Sequence, residues 1–318
     1  MRPLLFELSA ADGIAQALAE RVGGDCGTLS RRQFPDGESY LRIETPLSGR
    51  DVLLLCTLDR PDQKLAPLLF AAAAAREQGA RSIGLIAPYL AYMRQDKAFH
   101  PGEAITSATF AKLLSERIDW LVTLDPHLHR YPALSAIYSV PALAATATGP
   151  VGDWLRDNVD HPVIIGPDEE SSQWVERIAE RAGASFAVLR KERGGDYSVR
   201  IDGTALDRLG RGTPVIVDDI ASSARTMIET VDLLKAHGRP QPICVAVHPI
   251  FAEDSYQRLL NAGAGRVVST NAVAHESNAI DISAPLGEAV RSILAALGTA
   301  GAAADRSSPT PSLAAKGD

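Results

Sequence analysis

Short apolar runs separated by helix-like stretches recur along the chain. Val52–Thr57 (VLLLCT) is such a run. It is followed by an Ala/Leu-rich segment, Gln63–Gln78, that ends at Gly79. Ser82–Ala87 (SIGLIA) comes next and stops at Pro88. The same order returns later. Val215–Val217 leads into Asp218, a Ser-rich loop, a helix from about Arg225 to His237, Gly238, the run Ile243–Val247 and Pro249. A third copy runs through Val163–Ile165, Asp168, a helix from about Ser171 to Ala182, Gly183 and Phe186–Leu189. Apolar strands without clean alternation suit parallel sheets buried on both faces. Repeated strand–helix–strand units with short connections predict an α/β fold with right-handed crossovers.

The pattern predicts two similar α/β domains, residues 1–145 and 146–298. The join falls near Ala142–Gly152, a small-residue stretch containing Gly149-Pro150 that reads as a hinge. Residues 299–318 are rich in Ala, Ser, Pro and Gly and almost lack large apolar residues, so a disordered tail is expected there.

Composition narrows the function class. The formal net charge of −7 argues against a sequence-independent nucleic-acid binder, which needs excess Lys and Arg. A small phosphorylated ligand in a locally basic pocket stays open. Cys26, Cys56 and Cys244 are widely spaced and odd in number, which disfavours a disulfide framework or thiolate metal site. Met1–Leu8 lacks the apolar core of a signal peptide. The run Ala66–Ala75 is about half a membrane span. A cytoplasmic protein with no membrane partner is expected.

Ligands of open parallel sheets bind beyond the carboxyl ends of strands. Asp125 and His127 follow Leu121–Leu124. Asp168, with Glu169 and Glu170, follows Val163–Ile165. Asp218 and Asp219 follow Val215–Val217. Carboxylate and imidazole on one rim can hold a divalent cation; the plainer alternative is that each acid caps a helix or faces solvent. His129, two residues beyond His127, is expected to point elsewhere, and His248 is read as structural. The segment Val215–Thr226 (VIVDDIASSART) delivers two acids and then hydroxyl residues to a helix start, where free N–H groups favour phosphate. Acids beside such a cradle make sense if they meet sugar hydroxyls or a metal.

That loop resembles the phosphoribosyl pyrophosphate-binding motif of phosphoribosyltransferases and ribose-phosphate pyrophosphokinases. Five more segments resemble the second family, in its order: Phe34-Pro35-Asp36-Gly37-Glu38, Pro88–Asp96 (PYLAYMRQD), Asp125-Pro126-His127, Gly166-Pro167-Asp168 and Lys191-Glu192-Arg193. The resemblance implies two phosphoribosyltransferase-like domains and synthesis of phosphoribosyl pyrophosphate from ATP and ribose 5-phosphate with Mg²⁺. Phe34, Asp36 and Glu38 would contact adenine from a neighbouring subunit of a homo-oligomer, a dimer or hexamer. Arg94, Gln95 and Asp96 would hold ATP. His127 and Asp168 would serve Mg²⁺. Lys191 and Arg193, in a segment that reads as a solvated mobile loop, would be catalytic. Asp218 and Asp219 would take the ribose hydroxyls, and Ser222, Ser223, Ala224, Arg225 and Thr226 the 5-phosphate. Ser222, Ser223 and Arg225 depart from the commonest bacterial loop, which marks a divergent paralogue. Arg225 either pairs with the phosphate or obstructs the loop. A phosphoribosyltransferase and a non-catalytic regulatory paralogue are the alternatives.

Overall fold

The computed structural model describes residues 1–168, 171–189, 191–194, 198–201 and 212–306. Its first sheet is all parallel, in the order β2-β1-β5-β6-β7-β8. These strands are β1 (Leu4–Ser9), β2 (Asp25–Cys26), β5 (Asp51–Cys56), β6 (Ser82–Ala87), β7 (Trp120–Leu124) and β8 (Ala142–Ala145). The second sheet, also parallel, runs β10-β9-β13-β14-β15-β16. It consists of β9 (Pro162–Gly166), β10 (Ser185–Val188), β13 (Thr213–Ala221), β14 (Ile243–Pro249), β15 (Arg266–Thr270) and β16 (Asn278–Ile280).

Each half inserts an antiparallel hairpin between its second and third sheet strands. In the first it is β3 (Leu29–Gln33) with β4 (Ser39–Ile43); in the second, β11 (Lys191–Gly194) with β12 (Ser198–Ile201). The two halves thus repeat one topology, and the segments around Phe34 and Lys191 occupy equivalent positions in it. The loop expected at 191–196 is therefore corrected for 191–194, whose backbone pairs with β12; Gly195 and Asp196 lie outside the described residues.

The helices are α1 (Ile14–Arg21), α2 (Asp62–Glu77), α3 (Thr106–Ser115), α4 (Thr148–Asn158), α5 (Ser172–Ala182), α6 (Arg225–Ala236), α7 (Ser255–Ala262) and α8 (Ser283–Arg306). Successive strand residues face opposite sides. Leu53 and Leu55 of β5 enter a core shared with Ile164, Val215 and Val217 of the second sheet, while Val52 and Leu54 pack under α2 and α3. α6 and α7 cover the second sheet's other face through Met227, Val231 and Leu259. The sheets therefore sit back to back on one core, and α8 adds Leu286, Val290 and Ile293 to it. Arg21 Nε donates to Ser283 Oγ at 2.9 Å and ties α8 to α1.

Two sequence expectations are corrected. The supposed hinge is β8 followed by α4, with Gly149-Pro150 in the first helical turn. Proline is tolerated there because the N–H groups of that turn have no intrahelical partner. α8 runs on to Arg306, so the tail expected from 299 begins as helix. Alanine, the strongest helix former, dominates that stretch. Residues 307–318 lie outside the described residues.

Candidate functional site

The carboxyl ends of the two sheets meet. At the end of β7 the chain breaks from extended geometry, with Asp125 at φ 34°. The Asp125 carboxylate accepts the Ala147 N–H at 2.7 Å and so ties this turn to the start of α4. Burial pushes the Asp125 carboxyl up to about 6 against that hydrogen bond. His127 follows. Its Nδ1 lies 2.8 Å from Asp219 Oδ2 on β13, a contact between the halves.

A cleft of 860 Å³ opens over this contact. Arg94, Asp96, Phe99, His127, Asp168, Asp218, Asp219 and Thr226 are among the residues that line it, with Trp174, His129 and Arg130. The ends of β7 and β9 and the last part of β13 thus deliver acids and imidazole to one cavity; β13 does not stop at Val217 as expected but runs through Asp218 and Asp219 to Ala221, paired with β14. Asp168 also closes the turn that leads into α5, its Oδ1 accepting the N–H of Ser171, the residue before the helix, at 3.1 Å. Glu169 and Glu170 lie outside the described residues.

Electrostatics in the cleft are strained. Burial, then the charges of Asp219 and Asp168, hold the Asp218 carboxyl well above the ordinary range. Asp219 lies below it. Burial opposes its ionisation, but the hydrogen bond and charge of His127, with the charges of His248 and His129, outweigh burial. His248, fully buried at the end of β14, is driven down to about 4, chiefly by desolvation.

The hydroxyl loop bends at Ala224, which adopts φ 53° just before α6. Thr226 lines the cleft; Ser223 is exposed, and Ser222 is half-buried. Arg225 turns along the helix, with Nε donating to Glu229 Oε1 at 2.9 Å, and does not line the cleft.

Arg94 is exposed on the rim. Gln95 is half-buried, its Oε1 accepting from Thr106 Oγ1 at 3.3 Å. The Asp96 carboxylate is buried and accepts Arg130 Nη1 on both oxygens, at 2.8 and 3.0 Å. Phe34, Asp36 and Glu38 stand at the tip of the β3–β4 hairpin and do not line the cleft. Arg32 stacks over Phe34 and Tyr40, 4.5 and 4.8 Å from the ring centroids. The side chains of Lys191 and Arg193 lie outside the described residues.

Sequence reasoning missed His129 and Arg130, as well as the aromatic wall residues Phe99 and Trp174. His129 was expected to point away, but its Nε2 lies 3.0 Å from His127 Nδ1. The expectation assumed strand alternation, whereas the strand has ended at Leu124. Arg130 carries no local signal, because its partner Asp96 is distant in the chain. Among the described residues no helix is long and apolar enough to cross a membrane.

A doubled parallel α/β fold with an acid-rimmed cleft and a hydroxyl loop at a helix start defines a phosphoribosyltransferase-type protein. Residues 134–282 match the phosphoribosyl transferase domain. Residues 4–117 match the N-terminal domain of ribose phosphate pyrophosphokinase. A ribose-phosphate pyrophosphokinase from Methanopyrus kandleri is 30% identical, over 91% of this chain and 99% of that protein. One from Sulfurisphaera tokodaii is also 30% identical, over 86% and 94%. The crystal structure of phosphoribosylpyrophosphate synthetase from Mycobacterium smegmatis shares the fold, with a TM-score of 0.76 and 24% identity over 92% of this chain and 99% of that one. The chain belongs to the ribose-phosphate pyrophosphokinase family.

Proposed function

We propose that the protein transfers the pyrophosphoryl group of ATP to the C1 hydroxyl of ribose 5-phosphate, giving phosphoribosyl pyrophosphate and AMP. The observation that carries this reading is the joint cleft, where Arg94, His127, Asp168, Asp218, Asp219 and Thr226 share one 860 Å³ cavity. Family membership supplies the reaction class.

The C1 oxygen attacks the β-phosphorus. The bond from β-phosphorus to the α–β bridging oxygen breaks, AMP leaves with that oxygen, and the hydroxyl proton passes to solvent. Such transfer needs positioning and charge neutralisation and little covalent work by protein. Asp218 and Asp219 accept hydrogen bonds from ribose hydroxyls. Ser222, Ser223, the backbone at Ala224 and Arg225, and Thr226 cradle the 5-phosphate. Arg94 takes nucleotide phosphate, with Gln95 beside it, and Asp96 acts through Arg130. Lys191 and Arg193 neutralise charge on the transferring group.

A magnesium ion fits the donor set. Burial, then the charges of Asp219 and Asp168, raise Asp218, and a buried, acid-rich site suits a hard divalent ion. His127 and Asp168 would hold it, and when bound it would draw charge from the ATP phosphates.

We take residues 1–145 as the nucleotide side and 146–298 as the sugar-phosphate side. Phe34, Asp36 and Glu38 do not line their own chain's cleft, which favours a homo-oligomer, a dimer or hexamer, whose neighbouring subunit lends that hairpin to adenine; we place the protein in the cytoplasm.

The test measures AMP release from ATP and ribose 5-phosphate with Mg²⁺. Equal amounts of AMP and phosphoribosyl pyrophosphate are expected. ADP as product, or no turnover, would overturn the reading. Lys191→Ala should lower turnover by about 10²–10³, the usual cost of one preorganised donor.

A further inference from the structure

Behind the cleft, His248 reaches from the second sheet to the first. It stands near the end of β14, opposite Ile220 of β13, and is fully buried. Its Nε2 lies 3.3 Å from the Asp125 carbonyl oxygen, a contact that spans 123 positions in the chain. Its ring meets the Tyr89 ring edge to face, with 5.1 Å between centres. Tyr89 belongs to the segment that delivers Arg94, and Asp125 to the turn that delivers His127. One imidazole thus touches two walls of the site.

The peptide that His248 holds has few other means of being fixed. Residue 126 is proline, so the Asp125–Pro126 bond offers a carbonyl and no N–H. Sterics before a proline favour extended geometry, yet Asp125 stands at φ 34°. Strained backbone of this kind persists only where its surroundings over-determine it. Three contacts on Asp125 do so. Its N–H donates to the Ala145 carbonyl at 2.9 Å, its carboxylate accepts the Ala147 N–H at 2.7 Å, and its carbonyl faces His248. The last of these crosses to the second sheet.

The tautomer follows from the partner. A carbonyl only accepts, so Nε2 carries the proton and the lone pair falls on Nδ1. Desolvation keeps the ring neutral above about pH 4, so no second proton is at hand. Nδ1 is buried and, among the described residues, has no hydrogen-bond partner. The crevice that His248 shares with Tyr89, Met93, Arg94, Asp125 and His127 is too small for a water molecule. A leucine would spare the fold that unpaired atom. What the imidazole adds over leucine is the Nε2–H.

We propose that His248 is a positioning residue for the transfer: its Nε2–H holds the Asp125 carbonyl and so keeps the strained turn that sets His127 against Asp219. The effect on turnover rests on the pyrophosphoryl-transfer reading above; the tautomer does not. A side chain that acts this way changes the geometry in which bound substrates react more than the binding of either one. A misplacement of about 1 Å can cost about 10²-fold in rate.

The first measurement is nitrogen NMR of isotope-labelled histidine rings in the full-length parent at neutral pH, with the His248 signals recognised by their contacts to the Tyr89 ring. Expected is a neutral ring protonated at Nε2. Protonation at Nδ1, or at both nitrogens, would overturn the proposal. The second is AMP-release kinetics of three variants. His248→Gln places an amide N–H near the position of Nε2, His248→Asn places one near that of Nδ1, and His248→Leu offers none. The Asn and Leu variants should lower kcat at least about tenfold. Their KM for ATP and for ribose 5-phosphate should stay within about threefold of the parent. The Gln variant should bring kcat back to within about threefold of the parent. Equal loss in the Gln and Asn variants, or a loss that follows the urea midpoint across all three, would reduce His248 to packing and overturn the proposal. If the variants do not fold, the parent's tautomer decides. A parent that releases no AMP would overturn the proposed reaction and leave the tautomer measurement unaffected.

Discussion

The buried Ser255 hydroxyl donates to the Ser222 carbonyl at 2.7 Å, and the Ala252 N–H reaches the same oxygen at 3.0 Å. Ala252 lies in the connection between β14 and α7 and Ser255 opens α7, so the entry to that helix pins the start of the hydroxyl loop. Ser255→Ala removes one of the two bonds, a loss of about 1 kcal/mol. A loosened loop should raise KM for ribose 5-phosphate about three- to tenfold, because 1.4 kcal/mol is a factor of ten. The kcat should change less. Steady-state kinetics with each substrate varied checks this, and an unchanged KM would show that the loop does not need the Ser255 bond.

Arg130 and Asp96 clamp two cleft segments together, and Tyr131 reinforces the clamp through its 2.8 Å contact with Ser107. Asp96→Asn keeps the shape and removes the charge that holds Arg130. Hydrogen bonds to charged groups contribute about 1.5–3 kcal/mol, so KM for ATP should rise roughly tenfold or more. KM for ribose 5-phosphate should hardly move. Equal loss for both substrates would point to general unfolding of the cleft.

Asp51 opens β5 nearly buried, paired with Arg81 and accepting Ser82 Oγ at 2.8 Å. Burial alone would raise its carboxyl, but the hydrogen bonds of Arg81 and Ser82 and the Arg81 charge pull it below the ordinary value. A depressed carboxyl stabilises the fold above the unfolded value, about 3.9, and loses that contribution as pH falls through the folded value. Arg81 is largely exposed, which limits the gain to about 1–2 kcal/mol. Asp51→Asn should therefore cost a constant amount between about pH 5 and 8, and the gap to the parent should close below about pH 4. Urea unfolding across pH measures it. A gap that widens in acid would contradict the sign.

Legibility followed burial. β5, β6, β13 and β14 read clearly because strands covered on both faces are continuous apolar runs. Met1–Leu8 reads only as lacking the apolar core of a signal peptide, yet Leu4–Ser9 is an interior strand of the first sheet; Glu7 alone among its residues is exposed. The β3–β4 hairpin left no apolar pattern because it covers little. Acids at strand ends were visible as local features. What joins them was not, since the His127–Asp219 contact spans 92 positions and depends on how the two sheets face each other.

Gly84 sits in the middle of β6, where β6 pairs with β7 at Trp120. A Cβ at that position would lie 2.0 Å from Trp120 Cε2 and Cζ2 and 2.3 Å from Cη2. The indole is fully buried in the core between the two sheets, so it has nowhere to move without shifting neighbours from both halves. Overpacking of a dense core costs about 1–3 kcal/mol, sometimes more. Gly84→Ala should lose at least that much stability. Trp120→Phe alone opens space and should also be destabilising. In the double variant the added methyl fills part of the space left by the smaller ring. The double variant should therefore be more stable than the sum of the single effects, by about 1 kcal/mol or more in a double-mutant cycle. Strict additivity would mean that the close packing of Gly84 on Trp120 does not govern this part of the sheet.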